Sequence, residues 1–163
     1  MPSTGTAELT LPSEKEILFT REFDAPKGLV YRAYTTPELI KRWWGGSHGK
    51  VTVAEVDPRV GGSWRYVLIA NEGTEVAFHG VFREIVANER IVNTEVYEAM
   101  PDGEALVTVT FAEEEGRTRM EMLTEMESKE AREGLLESGM ESGLQEGLDL
   151  IERIAIELAG AEG

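Results

Sequence analysis

The chain of 163 residues contains no cysteine and only two histidines. Without thiols it cannot form disulfides, thiolate zinc sites or iron–sulfur clusters, and this absence is typical of proteins in a reducing compartment. No apolar run approaches the roughly 20 residues needed to span a bilayer. Residues 1–13 lack the basic and apolar regions of a signal peptide. We therefore expect a flexible N-terminal leader over residues 1–13 and a cytoplasmic protein.

Basic residues are also scarce, since 16 lysines and arginines stand against 31 acidic residues and give a net charge of −15. Such a charge repels phosphate backbones and anionic lipids, so we expect neither a nucleic acid nor a membrane as partner. The glycine-rich segments 45–49 and 61–62 match no phosphate-binding motif. The acidic and histidine side chains lack metal-ligand spacing. The sequence thus predicts no metal, no nucleotide and no other cofactor.

The apolar content of 41% is that of a globular protein, which we assign to a single domain over residues 14–163. A first strand is predicted near residues 14–23. Two short helices follow it, opened by Pro26 and Pro37, because proline is well placed in a first helical turn. The second helix ends at Gly45 and Gly46.

Between Lys50 and Met126 the apolar residues recur with a period of two, which predicts six strands joined by short turns. From about Ser128 to Ala159 the period is helical again, without a proline. One long helix can bury its apolar stripe only against the concave face of the sheet. The pattern predicts an α+β fold, an antiparallel seven-stranded sheet wrapped around a long C-terminal helix.

Several short motifs occur in order over about residues 14–159. They are Phe23–Pro26, Thr36–Gly45, Asp57–Trp64, Gly80–Ile85, Glu89–Val92 and Gly139–Gly143. Together they resemble the helix-grip fold of the START-like superfamily, also called SRPBCC or birch-pollen-allergen-like. Within it, the chain resembles the branch named after the activator of the ninety-kilodalton heat-shock protein's ATPase. The resemblance implies a fold whose members bind lipids, polyketides or hormones, while others act as co-chaperones or cyclases.

Aromatic and methionine side chains are more numerous than one thin core layer requires. A curved sheet that grips a helix often leaves a gap, which such side chains line as an apolar pocket. One of the adjacent residues Trp43 and Trp44 is expected near its entrance and the other in the core. The predicted ligand-binding residues are Trp43, Trp44, Trp64, Tyr66, Phe78, Phe82, Tyr97, Phe111, Met120, Met122, Met140, Gly143, Leu144 and Gly147.

The C-terminal helix carries two glycines, Gly143 and Gly147, within its apolar stripe, whereas Glu152 falls on the polar side. Each mid-helix glycine costs about 1 kcal/mol relative to alanine. Either another element packs closely against the bare backbone, or the missing side chains leave room for a ligand. We predict the second, with both glycines as the helical floor of the pocket.

Few residues are suited to acid–base chemistry. His48 lies in a glycine-rich loop, where it is either solvated or faces a ligand. His79 lies within a strand, either paired structurally or as a general base, and strict alternation places it on one face with Val81 and Ile85. Glu84 and Tyr97 are the other acid/base candidates if the pocket is catalytic. Arg59 either forms a salt bridge or meets an anionic ligand at the pocket mouth.

Three functions are open at this point. The first is binding of a small hydrophobic molecule, lipid-like or polyketide-like, without catalysis of its own. The second is a protein-interaction module that stimulates a heat-shock-protein ATPase, as the co-chaperone resemblance implies. The third is a cyclase-like enzyme that works mainly by orienting its substrate. Of these we favour the first, in a monomer or a homodimer.

Overall fold

An antiparallel sheet and four α-helices make up the described part of the protein, which in the computed structural model comprises residues 7–138 and 140–162. The strands are β1 (Glu8–Thr10), β2 (Glu16–Phe23), β3 (Gly49–Val56), β4 (Ser63–Ala70), β5 (Glu75–Val86), β6 (Arg90–Tyr97), β7 (Glu104–Glu114) and β8 (Arg117–Glu125). The helices are α1 (Lys27–Thr35), α2 (Pro37–Trp43), α3 (Lys129–Glu137) and α4 (Met140–Glu162), and a 3-10 turn covers Gly46–His48.

The sheet has the strand order β1-β2-β8-β7-β6-β5-β4-β3 and every neighbouring pair is antiparallel. The α+β helix-grip prediction is therefore confirmed, with the two short helices after β2 and the long helix at the C-terminal end. The sheet has eight strands rather than the predicted seven.

The additional strand β1 lies within the segment that we expected to be a flexible leader. Its residue Leu9 pairs with Phe19 of β2. Just before it, the backbone N–H of Ala7 donates to the Gln145 side chain of α4, whose amide nitrogen donates back to the Ala7 carbonyl, both at 2.9 Å. The leader prediction is wrong for residues 7–10, because short-range periodicity does not reveal an edge strand held by a distant helix. Residues 1–6 lie outside the described residues.

The predicted single C-terminal helix is divided into α3 and α4. The hydroxyl of Ser128 caps α3 by accepting a hydrogen bond from the Ala131 N–H at 3.0 Å. At the other end, the Ser138 hydroxyl and the Ser138 N–H both donate to the Leu135 carbonyl. A serine that bonds the preceding turn competes with helix continuation, so α3 ends there. Gly139, the first residue of the last motif named above, lies outside the described residues.

The core is concentrated where α1 and α4 cover the sheet. Phe111 and its cross-strand partner Met120 are buried there, and the rings of Tyr31 and Tyr34 meet Phe111 edge-on at 5.6 and 6.0 Å. These contacts fill one end of the concave face and leave space at the other.

A β-bulge in β5 places Ile85 on the face opposite to the one predicted. Strict alternation predicted Ile85 on the face of His79. The register of β5 shifts between Phe82 and Glu84, so that Ile85 pairs with Ile91 and packs against the core. A bulge inserts one extra residue into a strand and reverses the faces beyond it.

Candidate functional site

A cavity of about 200 Å³ lies between the concave face of the sheet and the helices. Strands β3 to β8 form its floor, and side chains from the ends of α1 and α2, from α3 and from the start of α4 cover it. The lining residues are Tyr34, Thr35, Trp43, Trp44, Val56, Trp64, Tyr66, Phe78, Phe82, Ile91, Asn93, Glu95, Val107, Met122, Thr124, Leu135 and Leu144.

The aromatic rings around the cavity are packed against one another. Trp44 meets Tyr66 and Phe78 edge-on, with ring centroids 5.5 and 5.7 Å apart, and Trp64 lies 4.8 Å from Tyr66. Mutual contacts of this kind hold each ring in one orientation. The apolar wall is therefore largely preformed, which lowers the entropic cost of binding a ligand.

Two tryptophans are fixed by hydrogen bonds to backbone carbonyls. The indole N–H of Trp43 donates to the Ala33 carbonyl of α1 at 2.8 Å, and that of Trp64 donates to the Thr94 carbonyl of β6 at 3.1 Å. The second contact requires Gly80, because a Cβ there would lie 1.8 Å from the Thr94 oxygen and 2.6 Å from the Trp64 nitrogen. Gly80 thus leaves room for the hydrogen bond between the Trp64 indole and β6.

The polar side chains of the cavity centre on Glu95. It lies on β6 two residues after Asn93, so both point to the concave face. Burial raises the pKa of the Glu95 carboxyl to about 7, and no described residue donates a hydrogen bond that would lower it. Its partial exposure is toward the cavity that it lines.

Two phenols share this environment. Burial raises the pKa of the Tyr34 and Tyr66 hydroxyls above their usual value, and the nearby charge of Glu95 raises both further. Both hydroxyls therefore stay protonated and can donate or accept hydrogen bonds. Among the lining residues that the structure describes there is no lysine, arginine or histidine, so positive charge is absent from the wall.

Many of the predicted site residues line this cavity. They are Trp43, Trp44, Trp64, Tyr66, Phe78, Phe82, Met122 and Leu144. Whether they bind a ligand remains a prediction, but the structure brings them together.

Other predicted site residues lie elsewhere. Tyr97 is stacked on Phe78 at 5.0 Å and does not itself line the cavity. Phe111 and Met120 share the concave face with the lining residues but lie at its other end, packed beneath α1. Met140 is the first residue of α4, and its side chain lies outside the described part of the chain.

The two glycines of α4 do not form a pocket floor. A Cβ on Gly147 would lie 3.1 Å from the Trp43 carbonyl oxygen and 3.4 Å from its ring, whereas one on Gly143 would lie 3.7 Å from the His48 ring. Neither glycine lines the cavity. The prediction of a vacancy is wrong, and Gly147 instead permits close packing of α2 against α4.

The acid/base candidates from the sequence all lie outside the cavity. His79 shares the Glu98 carboxylate with Arg65, at 2.9 and 2.8 Å. The hydrogen bond from Arg65 lowers the pKa of Glu98 most, and that from His79 lowers it further, to about 2. Glu84 pairs with Arg90 at 3.1 Å. His79 is therefore a paired structural histidine on the convex face.

Two further side chains that the sequence left open are paired as well. The His48 ring nitrogen lies 3.1 Å from a Glu146 carboxylate oxygen, which attaches the 3-10 turn to α4. Arg59 pairs with Asp57 at 2.9 Å, is largely exposed and does not line the cavity.

Sequence reasoning missed most polar residues of the site, namely Tyr34, Thr35, Asn93, Glu95 and Thr124. Alternation along β6 places Glu95 with Asn93 but puts Val92 and Val96 on the opposite face, so the pattern alone does not identify Glu95 as inward-facing. An acidic residue on the inward face of a strand is rare, because burial of a charge is costly. In a chain with 31 acidic residues, nothing in the sequence alone distinguishes Glu95 from the acids on the surface.

Among the described residues, no group of three or more histidine, aspartate or glutamate side chains is arranged to hold a metal ion. None of the described helices is both long and apolar enough to cross a membrane.

Comparison with solved structures gives the same fold across nearly the whole chain. A crystal structure from Rhodobacter sphaeroides has 25% sequence identity and a TM-score of 0.85, covering 94% of this chain and 99% of that one. A solution structure from Arthrobacter aurescens has 26% identity and a TM-score of 0.84, with coverages of 94% and 93%. A Mycobacterium smegmatis structure has 20% identity, a TM-score of 0.83 and coverages of 92% and 96%.

Sequence comparison assigns the family. No curated protein matches the chain. The family model described as "Activator of Hsp90 ATPase homolog 1-like protein" matches residues 24–155, from the end of β2 into α4. This range contains every residue that lines the cavity. The chain therefore belongs to the Activator of Hsp90 ATPase homolog 1-like family.

Proposed function

We propose that the protein binds a small, largely apolar molecule in the cavity between its sheet and its helices, and that binding rather than catalysis is its function. The observation that carries the proposal is the cavity of about 200 Å³ with its aromatic wall and few polar groups. Apolar cavities with a small number of placed polar groups are the usual form of small-molecule sites.

Packing supports the proposal. The rings of Trp44, Tyr66 and Phe78 contact one another around the space instead of closing it. A void of this kind forfeits dispersion contacts and costs stability, so a core selected for stability alone would fill it. A bound apolar molecule would restore those contacts.

The enzymatic alternative would have to rest on Glu95, which is the one carboxyl among the described residues that line the cavity. The candidate groups His79, Glu84 and Tyr97 all lie outside the cavity. The co-chaperone alternative is favoured by the family relationship. It would be distinguished if this protein stimulated a heat-shock-protein ATPase and took up no apolar probe.

The test is uptake of the neutral fluorescent probe N-phenyl-1-naphthylamine. The wild-type protein should raise its fluorescence saturably. Val107 of β7 lines the cavity, so Val107→Phe should fill the space, fold normally and lose probe binding. Absence of binding by the wild type, or undiminished binding by Val107→Phe, would contradict the proposal.

A matched control lies two residues along the same strand. Val109 faces the same side but is completely buried and does not line the cavity. Val109→Phe therefore has no space to occupy and should destabilise the fold by about 1–3 kcal/mol. Comparison of the two melting curves tests whether the cavity accepts a ring.

A further inference from the structure

The ionisable side chain of Glu95 has no hydrogen-bond or ion-pair partner among the described residues. Glu95 lies among aromatic and aliphatic residues, and among the residues that the structure describes no cation lines the cavity. The buried acid Glu152, by contrast, receives hydrogen bonds from Arg21 and from the Asp24 N–H. A carboxyl left unpaired in such surroundings is costly unless something else compensates it.

The remaining titratable groups of the cavity wall are phenols. Tyr34 and Tyr66 both respond to the charge of Glu95 and stay protonated. Neither can neutralise a carboxylate, although each can offer a hydrogen bond. The wall therefore presents one negative charge, several hydrogen-bonding groups and a set of aromatic faces.

These features of the cavity wall favour some classes of ligand over others. An anionic head group would be repelled by Glu95 and would find no lysine or arginine in the wall. A neutral hydroxyl would gain a hydrogen bond to the carboxylate. A protonated amine would gain such a hydrogen bond together with the Coulombic attraction of an ion pair, and favourable contacts with aromatic faces.

Resting on the proposed function, we propose that the ligand is a cationic amphiphile, a compact apolar or aromatic body that carries a protonated amine paired with the Glu95 carboxylate. The apolar body occupies the space between Trp44, Trp64 and Phe78. The net charge of −15 also raises the local concentration of cations around the protein.

The experiment compares three probes that share one aryl body: 2-phenylethylamine, 2-phenylethanol and phenylacetate. Each is used to displace N-phenyl-1-naphthylamine at about pH 8.5, where a carboxyl of pKa about 7 is ionised. The amine should displace the dye at a concentration roughly tenfold or more below that of the alcohol. Phenylacetate should be the weakest competitor.

Glu95→Gln is the decisive variant, because it keeps the size of the side chain and removes its charge. It should still take up the dye and lose the preference for the amine over the alcohol. The matched control is Glu84→Gln, which removes a carboxylate on β5 outside the cavity and should leave all affinities unchanged.

Different results separate this inference from the proposed function. If the dye binds but the amine competes no better than the alcohol or phenylacetate, the amine assignment is wrong and the apolar cavity stands. Retention of the amine preference in Glu95→Gln overturns the assignment as well. If the wild type binds neither the dye nor any aryl probe, the proposed function fails, and the inference fails with it.

Discussion

Arg21 of β2 and Glu152 of α4 form an ion pair in the interior, with Nη2 and Oε1 2.9 Å apart and side-chain exposures of 1% and 3%. The second oxygen of Glu152 accepts from the Asp24 N–H at 2.8 Å, and Nη1 of Arg21 donates to Asp149 at 2.7 Å. The guanidinium also lies 5.1 Å from the centre of the Phe23 ring. Sequence periodicity placed Glu152 on the polar side of its helix, which is wrong because β2 supplies a cation there.

Substitution of Glu152, the acidic partner in this ion pair, tests how strongly α4 is held to the sheet. Glu152→Ala leaves the Arg21 charge buried with a weaker partner, and we expect a loss of about 3–5 kcal/mol in the free energy of unfolding. Urea denaturation followed by circular dichroism measures it.

The neighbouring Asp149 provides the control, because its side chain is about half exposed and contacts the same guanidinium. Asp149→Ala should cost clearly less than Glu152→Ala, because the Asp149 end of its ion pair is half exposed and Glu152 still pairs the guanidinium. Equal losses for the two variants would mean that burial of Glu152 contributes nothing.

Glu95 makes stability depend on pH in a definite direction. Its pKa is about 7 in the folded protein against an ordinary value of 4.5, so between these values the folded state binds more protons than the unfolded state. The free energy of unfolding should therefore fall as pH rises from 4.5 to 7 and stay level above. The fall should reach about 3 kcal/mol at most, since each pKa unit is worth about 1.4 kcal/mol.

The Glu95→Gln variant isolates this contribution. It should remove the decline over that pH range and make the protein more stable than the wild type above it. Glu98 works in the opposite direction, because its lowered pKa gives stability that is lost only as pH falls from 4.5 toward 2. Parallel stability curves for wild type and Glu95→Gln would contradict the assigned pKa.

The sequence predicted the fold well because the fold follows from alternation and turn residues along β3 to β8. Those signals are local. The eighth strand and the helix break at Ser138 depend on contacts that no local pattern records, namely Gln145 with Ala7 and Ser138 with the Leu135 carbonyl. Each of these contacts can be recognised only when the three-dimensional arrangement of the strands and helices is known.

The candidate site was predictable in its apolar part only. Alternation correctly placed Trp64 and Tyr66 of β4 on the concave face. Phe111 and Met120 obey the same alternation, yet α1 covers them, because position along the sheet rather than its face decides which side chains meet the cavity. Glu95 was missed because composition made another surface acid the simpler interpretation.

The adjacent tryptophans should separate stability from binding. Trp43 is 6% exposed, stacks on Tyr34 at 5.5 Å and bonds the Ala33 carbonyl, so Trp43→Ala should cost about 3–5 kcal/mol. Trp44 is only partly buried and meets Tyr66 and Phe78 across the cavity wall. Trp44→Ala should destabilise less and reduce affinity for N-phenyl-1-naphthylamine.

Thermal melts and dye titrations on both variants check this division. Trp43→Phe is the control, because it keeps an aromatic ring on Tyr34 while it removes the indole hydrogen bond and only part of the ring volume. Its cost should be smaller than that of Trp43→Ala. If both alanine variants stay within about 0.5 kcal/mol of the wild type, α2 does not dock as described.

The glycines of α4 give a matched pair of substitutions on one helix. A Cβ on Gly143 meets the His48 ring at 3.7 Å, an ordinary contact, so Gly143→Ala should gain up to about 1 kcal/mol from helix propensity. A Cβ on Gly147 meets the Trp43 carbonyl at 3.1 Å, and α2 must shift to admit it. Gly147→Ala should therefore gain nothing or lose stability.

Leucine at the same positions extends the contrast and tests the discarded pocket-floor hypothesis. Gly147→Leu should overpack the α2–α4 contact and cost about 1–3 kcal/mol or more. Gly143→Leu should push against the 3-10 turn at His48, and because Gly143 does not line the cavity, dye binding should persist. A folded Gly143→Leu protein that no longer takes up N-phenyl-1-naphthylamine would restore the view that this glycine leaves room for a ligand.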